Sequence, residues 1–377
     1  MKYQFSSTEI VSESSIVSTI QATKMEKVSF VIFFASSKFD FNLVAAKVQE
    51  IYPNTPNIGC VSTGEITTEG YSEGRLAVLA VYSSDFIVEP VILTSLKKKV
   101  MLYKRRITRA ITQLGLDVNR KESTNQFFMI ALTDAFAACE ERIGTLLRNI
   151  FEDRKINCVG GSAGDLSNGY SYVAINGRVE KEASVILFVR TNKKIMVYNE
   201  NIYVPKGEMH RVTSADFQSR TISKADNKPF IDLYTQEIGV TRQQLDANIF
   251  AKNPIGRVSK GNTYIASPLK VNSDGTITFY TRVLVGHPFY FMEAANLLEK
   301  AQQTAEAIKG NFNKVEMIIG FNCILRYIQM KNEKACQSAY QAISSKTESP
   351  YFGFTTLGEH INMTHVNQTL TLIALGE

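Results

Sequence analysis

A four-residue pattern of hydroxyl residue, any residue, glycine and carboxylate occurs three times, at Ser62-Thr63-Gly64-Glu65, Ser162-Ala163-Gly164-Asp165 and Thr356-Leu357-Gly358-Glu359. Each copy follows an apolar strand candidate (Val28–Ala35, Phe127–Thr133, Val315–Phe321) and then a helix-periodic segment. Each is followed by a stretch of alternating apolar residues. A strand, a helical crossover and a second strand form a right-handed parallel unit. The chain therefore reads as one unit used three times.

In the first unit the crossover helix carries Val44, Val48 and Ile51 and stops near Pro53. The return strand is Asn57–Val61, and Arg75–Tyr82 and Phe86–Leu93 are expected to meander beside the first two strands. The second unit uses Ile143, Leu146, Leu147 and Ile150 on its helix, then Ile156–Val159, Tyr170–Ile175, Ala183–Arg190 and Lys194–Tyr198. Between the two lies a helix at Val100–Leu114, stopped by Gly115. Near residues 200–230 the chain changes character. Beyond it come a short helix at Phe230–Glu237, strands at Thr263–Ala266 and Thr276–Leu284, and a long helix at Glu293–Lys309 capped by Gly310. The third unit closes the chain, with Cys336, Ala339, Tyr340 and Ile343 on its helix and a final strand His365–Leu375. The fold class is mixed α/β: repeated strand-helix-strand-meander units in mixed sheets covered by helices, in two associated domains, 1–205 and 206–377.

A chain of 377 residues with 44% hydrophobic and 21% charged residues has the composition of a globular protein with a core. Its longest early apolar run, Val28–Ala35, falls short of the roughly 20 residues that span a bilayer, and the N-terminus lacks a leader pattern. Five cysteines without close pairing fit reduced thiols. A cytoplasmic protein without membrane insertion is expected. The basic run Lys97-Lys98-Lys99 and Lys104-Arg105-Arg106 precedes an apolar face of Ile107, Ala110, Ile111 and Leu114, so a solvated helix face accounts for it without nucleic acid.

Glycine in the repeated pattern permits a tight turn, while the hydroxyl and carboxylate can satisfy nearby backbone groups. A structural corner is one reading. The other gathers the three corners at one sheet end, where Ser62, Glu65, Ser162, Asp165, Thr356, Glu359 and Asn367 would edge a ligand crevice. The middle copy also has the G-x-S-x-G spacing of a hydrolase elbow, with Ser162 as its serine. That motif must open directly into a helix, whereas Asp165–Tyr170 is turn-like and leads into a strand. Only four histidines exist, without zinc or nucleotide motifs, so no metal site is expected apart from a haem iron, whose single axial histidine needs no motif.

Several separated segments, in order, resemble the FIST family with its N and C sensory domains. They are Gly59–Glu65, Val159–Asp165, Phe230-Ile231-Asp232-Leu233-Tyr234, Asn322-Cys323-Ile324-Leu325-Arg326, Gly353–Glu359 and His365-Val366-Asn367-Gln368-Thr369. The resemblance implies a ligand-binding sensory module of bacterial signal transduction, not an enzyme. The chain also resembles the stand-alone nitric-oxide-sensing haem proteins (NosP) of that family. This implies haem b as cofactor and, as partner, a histidine kinase or a cyclic-di-GMP synthase or phosphodiesterase. Under that reading His365 is the first candidate for axial ligand, His287 the second and His360 the third, with Arg326 contacting a propionate or another anion. The alternatives are a FIST sensor of a small organic ligand such as an amino acid, without haem, and a serine hydrolase using Ser162.

Overall fold

The computed structural model describes residues 1–120, 124–152, 154–259 and 262–377. Its organising element is a sheet built three times to one plan. The first sheet runs Lys2–Thr8, Leu76–Tyr82, Phe30–Ser36, Asn57–Ser62, Val173–Ile175, Arg178–Glu180. The second runs Ile87–Leu93, Ser184–Arg190, Phe127–Asp134, Asn157–Ala163, Glu359–Ile361, Thr364–Val366. The third runs Lys194–Asn201, Thr369–Gly376, Val315–Cys323, Tyr351–Thr356, Gly64–Thr67, Gly70–Ser72. In each, the third and fourth strands are parallel and the other neighbours antiparallel. The fold is thus mixed α+β, as the strand-and-helix alternation requires.

Each sheet ends on a hairpin that belongs to another unit. The hairpin after Ser62 completes the third sheet, the one after Ala163 the first, and the one after Thr356 the second. A cyclic exchange of this kind ties the three units together, because no sheet is complete without another unit's chain. Each unit also begins earlier than the pattern suggests, with a strand and helix of its own. Lys2–Thr8 and Glu13–Gln21 open the first unit, and Ile87–Leu93 and Lys104–Gln113 open the second. The strand expected at Phe86–Leu93 therefore leaves the first sheet for the second, and Lys194–Asn201 likewise opens the third.

The inner faces of the three sheets meet in one apolar core that includes Phe34, Ile58, Phe128, Leu187, Phe321 and Phe354. Phe34 stacks on Phe354 at 4.7 Å and Phe5 on Phe352 at 4.8 Å, so aromatic pairs bridge the sheets. Each such buried side chain contributes about 1.5–3 kcal/mol. The outer faces take amphipathic helices: Ile16 and Val48 on the first sheet, Ile107 and Leu147 on the second, Ile308 and Ile343 on the third. Helix starts are set by side chains that accept orphan backbone N–H groups. Asp40 accepts from Asn42 and Leu43, and Asn296 from Leu298 and Glu299.

Between the first strand and first helix of the third unit lies an insertion, Tyr203–Ala294, that folds as a wholly antiparallel fourth sheet. It packs Phe230 and Tyr234 of the helix Phe230–Ile238 against Phe289, Phe291 and Val212. Three expectations change here. The long helix is Leu297–Asn311, because Asn296 caps it and Glu293 still belongs to the preceding strand, Pro288–Ala294; Gly310 lies inside its last turn. Only Ile277–Phe279 of the expected strand Thr276–Leu284 pairs in the sheet. The final strand breaks at Asn367-Gln368, with Gln368 at φ +56°, so that Thr364–Val366 joins the second sheet and Thr369–Gly376 the third.

Gly160 and Gly353 sit at matching places on the second parallel strands of their units, at φ +155° and +156°. A Cβ at either would overlap the backbone of the neighbouring strand, at Ala131 and Gly320 respectively. Gly353→Ala is expected to destabilise the protein by about 3 kcal/mol or more in chemical denaturation, because neither backbone can yield. Gly310→Ala, in a helix with open space around it, is expected to be neutral or slightly stabilising.

Candidate functional site

The three repeated corners do come together. Gly164 N–H donates to Val61 O (3.0 Å), Thr63 Oγ1 to Gly164 O (2.7 Å), and Ser162 N–H to Gly358 O (2.7 Å). Leu357 N–H donates back to Ser162 O, and Gly64 pairs with Thr355. The corners hold one another through these bonds, and Ser62, Glu65, Ser162, Thr356 and Glu359 are all buried. Ser62 Oγ donates to Glu65 Oε1 at 2.6 Å and Thr356 Oγ1 to Glu359 Oε1 at 2.6 Å, the same bond in two units. Burial pushes Glu65 up to about 8 and Glu359 up to about 7, against the hydrogen bonds that favour their charged forms.

The middle corner departs from this pattern. Asp165 is turned outward, where it accepts from Ser37 Oγ (2.5 Å), Ser167 N–H (2.9 Å) and Asn168 Nδ2 (3.0 Å). Ser162 donates instead to Glu140 Oε1 at 2.9 Å. A serine with 0% exposure that already donates to a carboxylate is not the exposed serine of a hydrolase elbow.

Glu140 and Glu141 open the helix Glu140–Phe151, whose N-terminus favours negative charge. Arg220, from the insertion, places Nη2 2.7 Å from Glu140 Oε2 and 2.7 Å from Glu141 Oε2. Arg282, also from the insertion, donates its backbone N–H to Glu141 Oε1 at 3.0 Å and stacks its guanidinium 4.1 Å from the Phe217 ring centre. His365 from the third unit brings Nδ1 to 3.6 Å from Glu141 Oε1. Burial alone would raise both glutamates, but His365 and Arg220 hold them below the ordinary carboxylate range. Ligand atoms of Glu140, Glu141 and His365 lie within 4.8 Å of one another, as for a metal, yet the Arg220 guanidinium already fills the cation's place.

Beside this cluster a cavity of about 390 Å³ opens between the core and the insertion. Its walls include Glu141 and Arg148 from the second unit, Phe217, Arg257, Arg282 and His287 from the insertion, and Met363 and His365 from the third unit's hairpin. Arg257 faces the Tyr264 ring at 5.1 Å and has no carboxylate partner among the described residues. Next to it, His287 is pushed down by partial burial and by the Arg257 charge, and its ring has no hydrogen bond among the described residues. The cavity thus presents cationic groups on an aromatic and aliphatic surface.

Not all sequence candidates reach it. His365 and His287 line it. His360 lies behind His365, ring centres 5.8 Å apart, with Nε2 3.1 Å from Thr133 Oγ1, and burial pushes it down to about 4. Arg326 is buried elsewhere, ion-paired with Glu200 and donating to Asn322 Oδ1 at 2.5 Å. Asn367 is buried near Gly358, and neither atom of its amide has a hydrogen-bond partner among the described residues. Of Ser62, Glu65, Ser162, Asp165, Thr356 and Glu359, none lines the cavity.

His365 has 1% side-chain exposure, and a Cβ at Gly358 would overlap its Nε2 while Nδ1 faces Glu141. Both ring nitrogens therefore face protein, which does not suit an axial haem ligand. His287 suits it better: it is a neutral-leaning imidazole on the cavity wall. Sequence reasoning did not single out Arg220, Arg257, Arg282, Glu140 or Glu141. The adjacent acids at a helix start were the one visible signal.

The architecture is a three-unit core with a ligand-sized cavity under an inserted sheet. The FIST N domain model matches residues 29–228 and the FIST C domain model residues 231–362, so the chain belongs to the FIST family of ligand-binding sensory proteins of signal transduction. A search of curated proteins found no match. The cavity draws its walls from both matched segments. No helix among the described residues is long and apolar enough to cross a membrane.

A group whose folded pKa is raised loses stability as pH climbs from its unfolded to its folded value. For Glu65 and Glu359 that window runs from about 4.5 to about 8 and about 7. His360, depressed to about 4, acts oppositely, but only below its ordinary value of 6.5. Melting temperature is therefore expected to fall between about pH 6.5 and 8, and the double variant Glu65→Gln/Glu359→Gln to flatten that fall.

Proposed function

We propose that this FIST protein senses a small organic ligand bearing a carboxylate, an amino acid being the leading class, in the cavity between the core and the insertion. The observation that carries the reading is Arg257, a guanidinium on the cavity wall without a carboxylate partner among the described residues, beside His287. A ligand carboxylate there would accept charge-assisted hydrogen bonds. Glu141, across the cavity, offers an acceptor for an ammonium, and Phe217, Phe289 and Met363 an apolar bed for a side chain. A volume of about 390 Å³ lies near the lower end of the roughly 300–1,000 Å³ typical of ligand pockets, which favours a metabolite over a macrocycle.

The test is a thermal-shift screen of amino acids and related carboxylates. At least one is expected to raise the melting temperature, and Arg257→Gln to weaken it roughly 10- to 100-fold without lowering the stability of the free protein. A screen with no shift, or a ligand indifferent to Arg257, contradicts the reading.

A second reading is a haem-based nitric oxide sensor, and His287 is the observation that favours it. Haem bound through one imidazole would leave its other face for a diatomic gas. In this chain His287 would hold the iron, and Arg148, Arg257 and Arg282 would face the propionates. Protein purified from haem-replete cells is then expected to show a Soret band that His287→Ala removes and His365→Ala leaves; a colourless protein removes this reading. The reading that the sensor acts on a separate histidine kinase or cyclic-di-GMP enzyme rests on the resemblance to haem sensors of the family.

A further inference from the structure

The segment from Leu96 to Gln113 carries seven Lys and Arg side chains within residues 97–109 and no acidic residue. Its fold sorts them sharply. Leu96, Val100, Ile107, Ala110 and Ile111 turn into the core, while Lys97, Lys98, Lys99, Lys104, Arg105, Arg106 and Arg109 are exposed. At the bend between the two basic triplets stand Met101, 45% exposed, and Leu102, 74% exposed, the highest value of any large hydrophobic side chain among the described residues. Lys97 pairs with Glu182 and Arg106 donates to the Ile92 carbonyl. Lys98, Lys99, Lys104, Arg105 and Arg109 form no ion pair among the described residues.

A solvated helix face explains the charges but not the two aliphatic side chains projecting between them. We propose that this bend is a peripheral docking surface for an anionic phospholipid bilayer. Met101 and Leu102 would enter the headgroup boundary, and the surrounding ammonium and guanidinium groups would meet lipid phosphates. Two features favour lipid over an acidic protein: the most exposed side chain of the tip, Leu102, is aliphatic, and lysine, which is depleted from protein interfaces, supplies four of the seven cations. Flexible lysine stems also let charge follow a fluid surface while the tip inserts. This is attachment to one leaflet and involves no spanning segment.

The experiment uses the full chain with vesicles of phosphatidylcholine, alone or mixed with phosphatidylglycerol. Co-sedimentation is expected with the mixed vesicles only, weakening as salt rises. Removing three charges in Lys98→Gln/Lys99→Gln/Lys104→Gln is expected to lower partitioning on the order of 100-fold. The chain contains no tryptophan, so Leu102→Trp installs a single fluorescent reporter at an exposed position. Its emission is expected to shift to the blue on mixed vesicles and to stay unchanged on phosphatidylcholine alone. No sedimentation with mixed vesicles, equal binding by the charge variant, or an unshifted reporter overturns the proposal. So does tighter binding to polyglutamate than to mixed vesicles, which would point to an acidic protein.

Discussion

Three buried turns that hydrogen-bond to one another hold the molecule together. Their geometry forces the rest: at each turn the chain leaves one sheet and enters the next, with Gly164 at φ +140° and Gly358 at φ +158° in two of them, and the exchanged hairpin finishes a neighbour's edge. Such a ring cannot be opened at one place without exposing sheet edge and core together. Each turn must also satisfy its polar groups internally, because Ser62, Ser162 and Thr356 are removed from water. Two units do so with a glutamate three residues on, while the second reaches across to Glu140 at the start of its own crossover helix.

That exception has a consequence for the site. By using Glu140, the second unit places a pair of acids where the insertion can reach them, and Arg220 docks on both. The insertion is thereby anchored by charge at one end and continuous with the third unit's strand at the other. Between the two attachments the surfaces stand apart, and the cavity is that separation. His365 and Glu141 belong at once to the cavity wall and to the surroundings of the corners, so a ligand would touch residues packed against the core's central turns.

Much of this architecture was legible. The repeat, the parallel pairs and their crossover helices follow from apolar periodicity, and Phe30–Ser36, Phe127–Asp134 and Val315–Cys323 stand where alternating and continuous apolar runs place them. The destination of each hairpin was not. Short segments such as Gly64–Thr67 and Glu359–Ile361 carry too few residues to show a period, and which sheet they join depends on pairing far along the chain. The insertion hid for a similar reason, since its strands read like any others and nothing local marks Lys194–Asn201 as the opening of the last unit. At the site, His365 and His287 were visible as rare residue types. Arg257 and Arg282 were not, because an arginine in a strand or a connecting segment has no signature until the wall it faces is known.

The most direct measurement is a crystal structure of the protein grown with the carboxylate that stabilises it most. The account predicts density for that molecule between the core and the insertion, with its carboxylate on Arg257 and its body beside Phe289 and Met363. Density at another place on the protein, with the cavity holding only solvent, would contradict it.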